Sequence, residues 1–171
     1  VKGKKKMKLE IEKFISEIEF PEAAMRLIEE GILCYKSGAY RSAYIMSYLF
    51  FLSVVKHRAL ESSYAPIGYG RERKKKTDEI SNDEFWERKV FDLFTTEISH
   101  SCYFEVSKSV IAQMEYWRTL RNDCVHSKGN KFVAAHVESF WLFIQSTLPE
   151  LVINRRNIMI MSRELDEFFE N

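Results

Sequence analysis

The chain has 171 residues, enough for a single domain to bury a real core without disulfide or metal staples. Hydrophobic residues at 46% and charged residues at 30% argue against disorder of the whole chain, and six Gly and three Pro are too few for a turn-rich β fold. A net charge of +1 leaves any nucleic-acid binding to a local patch, and no apolar run reaches the ~18–20 residues that span a bilayer.

Residues 1–20 read as a basic N-terminal arm followed by a short helix from Leu9 to Glu19. The arm lacks the apolar stretch and cleavage site of a signal peptide. Pro21 suits the first turn of the next helix, where Glu22 complements the positive end of the dipole. Ala24, Leu27, Ile28, Ile32 and Tyr35 then recur at helical spacing, and Ser37-Gly38 is the stop. Ala39 to Leu60 is apolar nearly all round, with few β-branched residues, so it predicts a helix buried in a bundle or at a subunit interface.

Residues 62–83 hold Pro66, Gly68, Gly70 and the run Arg71-Glu72-Arg73-Lys74-Lys75-Lys76, which reads as a mobile basic loop. Ser81 or Asn82 would cap a helix with Phe85, Trp86, Val90, Phe91, Phe94 and Ile98 on its apolar face. Glu105 to Leu120 predicts a further helix with Val106, Val110, Met114 and Trp117 on one stripe, which Arg121 continues. Ser127 to Asn130 has turn chemistry and Asn130 can cap the next helix. Phe132 to Leu148 predicts that last core helix, ended or bent by Pro149. Residues 149–171 read as a charged helical extension. The fold class is therefore all-α: a bundle of four to five core antiparallel helices over residues 21–148.

The residues that can carry chemistry are Arg121-Asn122-Asp123-Cys124-Val125-His126. An imidazole with an ordinary pKa of ~6.5 exchanges protons at neutral pH. A guanidinium pairs with two phosphate oxygens at once and keeps its charge. On one continuous helix, residues five apart are rotated by about 140°. Arg121 and His126 converge only if the helix ends or kinks between them, or if each meets its mate across a two-fold axis.

This stretch, from Tyr116 to His126, resembles the R-x(4–6)-H hallmark of the HEPN superfamily, with Asn directly after the Arg. The stretch from Gly31 to Tyr44 is similar to that family's first two core helices joined by a short Gly turn. The resemblance implies a dimeric helical domain with a composite site: a metal-independent endoribonuclease, as in toxins and anti-phage defence effectors. It implies Arg121 and His126 as catalytic pair, Asn122 and Asp123 as supporting polar groups, RNA as substrate, no cofactor or metal, and an antitoxin or other regulatory partner. Family toxins that are switched by a nucleotidyltransferase carry a Tyr two residues after the His. Here that residue is Lys128.

Other features are weighed beside these. Arg71, Arg73, Lys74, Lys75, Lys76 and Lys128 could track RNA phosphates, with Tyr69 as a stacking ring, but a charge run is more often a solvated surface. His136 shares a stripe with Phe132, Phe140 and Phe143 and reads as a satisfied core histidine, while His57 and His100 have no partners at useful spacing. Cys34, Cys102 and Cys124 lack metal-ligand spacing and read as reduced thiols of a cytoplasmic protein. A non-catalytic HEPN module that binds RNA, nucleotides or protein is the alternative. A plain helical interaction domain cut from a larger chain is a third.

Overall fold

Helix α1 (Glu10–Glu17) buries Ile11 and Ile15, one turn apart on its inward face. Its first turn is closed by Glu12, whose carboxylate accepts the Leu9 N–H at 2.8 Å. Helix α2 (Glu22–Lys36) buries Ala24, Ile28, Gly31 and Ile32 along a single stripe. It stops where expected: Ala39 N–H donates to Cys34 O (2.9 Å), Gly38 N–H donates to Tyr35 O (3.0 Å), and Gly38 has φ +79°. That is a Schellman ending, in which only glycine takes the left-handed position without strain.

The structure, a computed structural model, describes residues 8–62, 75, 77–81, 84–96, 102–126 and 131–153. It is mostly helical, and among the described residues no helix is long and apolar enough to cross a membrane. The chain forms two compact units, Val1–Phe51 with Arg121–Pro149, and Leu52–Leu120 with Glu150–Asn171. Residues 21–148, expected as one bundle, are thus shared between them.

In the first unit, the N-terminal half of α3 (Tyr40–Glu61) crosses close to α2. A Cβ on Gly31 would lie 3.2 Å from both Ala43 O and Ser47 Oγ, so the missing side chain is what allows the approach. Helix α6 (Ala134–Thr147) supplies Val137, Phe140, Trp141, Phe143 and Ile144 to this core. Phe140 sits among Tyr44, Tyr48 and Phe51, with ring centroids 5.1, 6.1 and 6.3 Å away. Two buried polar side chains of this core are satisfied in a chain: Trp141 Nε1 donates to Ser47 Oγ (2.8 Å), which donates to Ala43 O (2.7 Å). Tyr35 on α2 donates its hydroxyl to Glu138 on α6.

The second unit contains the rest of α3, helix α4 (Trp86–Thr95), most of α5 (Lys108–Val125) and a two-stranded sheet. Strands β1 (Phe104–Glu105) and β2 (Val152–Ile153) run antiparallel, with Phe104 opposite Ile153. Phe104 stacks on Phe94 at 5.1 Å, and Tyr103 donates its hydroxyl to Ala59 O at 3.2 Å. Arg118 lies over the Phe91 ring and Lys56 over Trp86.

The observed elements depart from the sequence reading at several points. Val152–Ile153, placed in a helical extension, is a strand, because two β-branched residues find a partner in β1. Residues 154–171 lie outside the described residues. The helix expected from Glu105 begins at Lys108, where Ser107 Oγ accepts the Val110 N–H (3.3 Å) as a cap, and it continues to Val125. Residues 77–81, within the segment read as a loop, are helical with Ile80 buried. The Gly and Pro breakers end at Gly70, and charge alone does not stop a helix. Ser81 is itself helical, and α4 instead starts after Phe85 with no side-chain cap. Helix α6 starts after Val133 rather than after Asn130.

Candidate functional site

The final turns of α5 carry the Arg/His pair. Arg121 lies on the same stripe of the helix as the buried Met114 and Trp117, and is itself half-buried. Its Nη1 donates to Asn122 Oδ1 at 3.4 Å. Asn122 and His126 are exposed and lie four residues apart on one face, Asp123 is half-buried, and Cys124 is buried. Burial pushes the Cys124 thiol up, the Arg41 charge partly offsets this, and Asp123 adds to it.

His126 N–H donates to Asn122 O at 3.0 Å, so helical hydrogen bonding runs unbroken past Arg121 to His126. The break that would let both side chains meet within one chain is absent. The turn signals begin at Ser127, one residue too late to separate the pair. The two side chains therefore project about 140° apart around the axis. Within one copy, then, the helix that carries both residues does not itself bring Arg121 and His126 together.

One residue that the sequence reading did not assign reaches this helix end. Arg41, in the first turn of α3, donates from Nη1 to Cys124 O at 3.4 Å. The signal was present: Arg41 is the one charged residue between Tyr40 and Val55. It stands at the positive end of its own helix, where a cation is disfavoured.

The remaining candidates divide. Lys75 is exposed on a helical residue of the other unit, while Arg71, Arg73, Lys74, Lys76, Tyr69, Lys128 and His100 lie outside the described residues. His136 is half-exposed rather than buried. Its Nδ1 accepts the Val133 N–H at 3.1 Å and its ring stacks on Phe132 at 4.6 Å, so it is satisfied as a helix cap. His57, for which no partner was expected, pairs with Glu61 Oε2 at 2.7 Å, one turn along α3. Among the described residues no three His, Cys, Asp or Glu side chains are placed to hold a metal ion. A cleft of about 490 Å³ between α1 and α2 is lined by apolar Ile15, Met25 and Ile32 and by the Glu12–Lys36 ion pair (2.6 Å), and does not include the Arg/His pair.

The chain matches no family model, no curated protein and no solved structure.

Proposed function

We propose that this protein is a metal-independent endoribonuclease of the HEPN kind that acts as a homodimer, with Arg121 of one copy and His126 of the other in each site. The observation that carries the reading is the unbroken helix from Arg121 to an exposed His126. A pair that cannot converge within one chain can do so across a two-fold axis. RNA brings its own nucleophile, the 2′-OH. A neutral His126 takes its proton as the 2′-oxygen bonds to phosphorus, and the P–O5′ bond breaks as the 5′-oxygen takes a proton from water, whose hydroxide the His126 imidazolium then neutralises. Arg121 holds the phosphate and balances the charge that builds on its oxygens. The products are a 2′,3′-cyclic phosphate and a 5′-OH. In a cell such an activity suits a toxin or an anti-phage defence effector held in check by a regulatory partner.

The test is RNA cleavage in EDTA, with analysis of the product ends, by the wild type, Arg121→Ala and His126→Ala. Each variant should be folded and inactive. Mixing the two inactive variants should restore about a quarter of wild-type activity, because half of the dimers then hold one intact site out of two. No recovery on mixing would overturn the shared site. A folded dimer that binds RNA without cutting it would make the non-catalytic binding module the better reading.

A further inference from the structure

The cleft between α1 and α2 has an apolar floor of Ile15 and Ile32, both buried, with Met25 beside them towards the start of α2. Leu33 borders it and is 66% exposed, although every other large apolar side chain of α2 is at least half-buried. The cleft also holds charges. At the end of α2, Lys36 binds Glu12 at 2.6 Å, and the Lys8 charge falls on the same carboxylate, so two cations face one anion. One turn before Leu33, the exposed Glu29 has no hydrogen bond or ion pair among the described residues. One end of the cleft is therefore positive, and Glu29 leaves a negative charge further along it. Leu33 stands four residues after Glu29 and three before Lys36, near the midpoint between them.

We propose that this cleft is a docking surface for a second copy of the chain, which lays its own α2 antiparallel across it about a two-fold axis near Leu33. The pattern is self-complementary under that operation. It brings Glu29 of each copy opposite the Lys8 and Lys36 end of the other, and sets the two Leu33 side chains together over the apolar floor. Each charge left over in one copy then meets its opposite in the other. A parallel pair of α2 helices would instead set Glu29 against Glu29. Burial of the exposed leucine supplies the attraction, and the charges set the direction. Neither Arg121 nor His126 lines the cleft, so this contact is separate from the one that would complete the nuclease site and does not rest on that reading.

The test is sedimentation equilibrium of the full chain, with circular dichroism as the control for folding. Leu33, Glu29 and Lys8 are exposed, so changes there should leave the fold intact. At a concentration high enough to associate the wild type, Leu33→Glu should halve the mass of the assembly. Glu29→Lys and Lys8→Glu should each weaken the association about tenfold or more. An equimolar mixture of these two variants should recover the wild-type mass, because each copy then offers the charge that the other needs on both sides of the axis. Equal masses for the wild type and Leu33→Glu at every concentration would overturn the proposal and leave the cleft to a different partner. A mixture that does not recover would overturn it as well, since the two-fold register requires that pairing. RNA cleavage is not among the readouts, so failure of the nuclease reading would leave the result unchanged. If Leu33→Glu does not fold, the charge variants carry the test: recovery on mixing supports the two-fold contact, and no recovery overturns it.

Discussion

Helix α6 and the last turn of α5 belong to the same unit and are separated by only a few residues, yet different forces hold them. Helix α6 is held by area. Val137, Phe140, Trp141, Phe143 and Ile144 are all buried, and their rings interlock with those of α2 and α3. Between Arg121 and His126, only Cys124 is buried, and polar contacts, among them backbone hydrogen bonds and the Arg41 guanidinium on Cys124 O, take the place of buried area. An element held by area tolerates little change in volume and much change in surface charge. An element held by a few polar contacts leaves its side chains open to solvent and substrate, and can change chemistry without unfolding the chain.

The comparison can be broken at four places. The largest effect on stability is expected for Phe140→Ala, which empties a fully buried ring site in contact with Tyr44 and Phe51. Denaturant unfolding should show a loss of about 3–5 kcal/mol. His126→Ala should do the opposite, moving unfolding free energy by no more than about 0.5 kcal/mol while lowering RNA cleavage at least ~100-fold. Comparable losses of stability from the two substitutions would erase the distinction between the regions.

Two smaller effects sharpen it. Gly31→Ala gains about 1 kcal/mol of helix propensity but drives a methyl to 3.2 Å from a backbone oxygen of α3. Overpacking should win, for a net loss of about 1 kcal/mol in thermal or denaturant unfolding. The smallest effect is expected at Glu12. Its hydrogen bond to Lys36, the Leu9 N–H and the nearby Lys8 charge hold its carboxyl below the usual carboxylate range, against a smaller opposing effect of burial. The folded value is lower than the unfolded one, so this group stabilises the fold above the ordinary carboxylate range and stops doing so as pH falls through the folded value. Glu12→Gln should cost less than about 1 kcal/mol at neutral pH and flatten the acid limb of the stability profile.

Much of the helical pattern was legible because its signals are local. The stripe Ala24, Ile28, Ile32, the Ser37-Gly38 stop and the all-round apolar α3 each depend on neighbours within a turn or two. What the reading missed depends on distant partners. The β1–β2 pair joins Phe104 to Ile153, and neither dipeptide is long enough to announce a strand. Gly31 reads as an ordinary helix glycine until Ala43 and Ser47 are brought against it. The His57–Glu61 pair was within reach, since four-residue spacing alone places the two on one face.

The candidate site divides in the same way. Composition, periodicity and turn chemistry by themselves determined a helical protein, the stripe that leads through Trp117 to Arg121, and the presence of an Arg and a His near a helix end. These are set by bonds and packing spaced one or two turns apart, so one strand of letters contains them. Only the tertiary structure decided that the helix runs unbroken to His126, which turns the pair away from each other. It alone brought Arg41 from 83 residues away onto Cys124 O. That meeting depends on where the start of α3 comes up against the end of α5, which is settled by burial of the core and not by any short stretch of sequence.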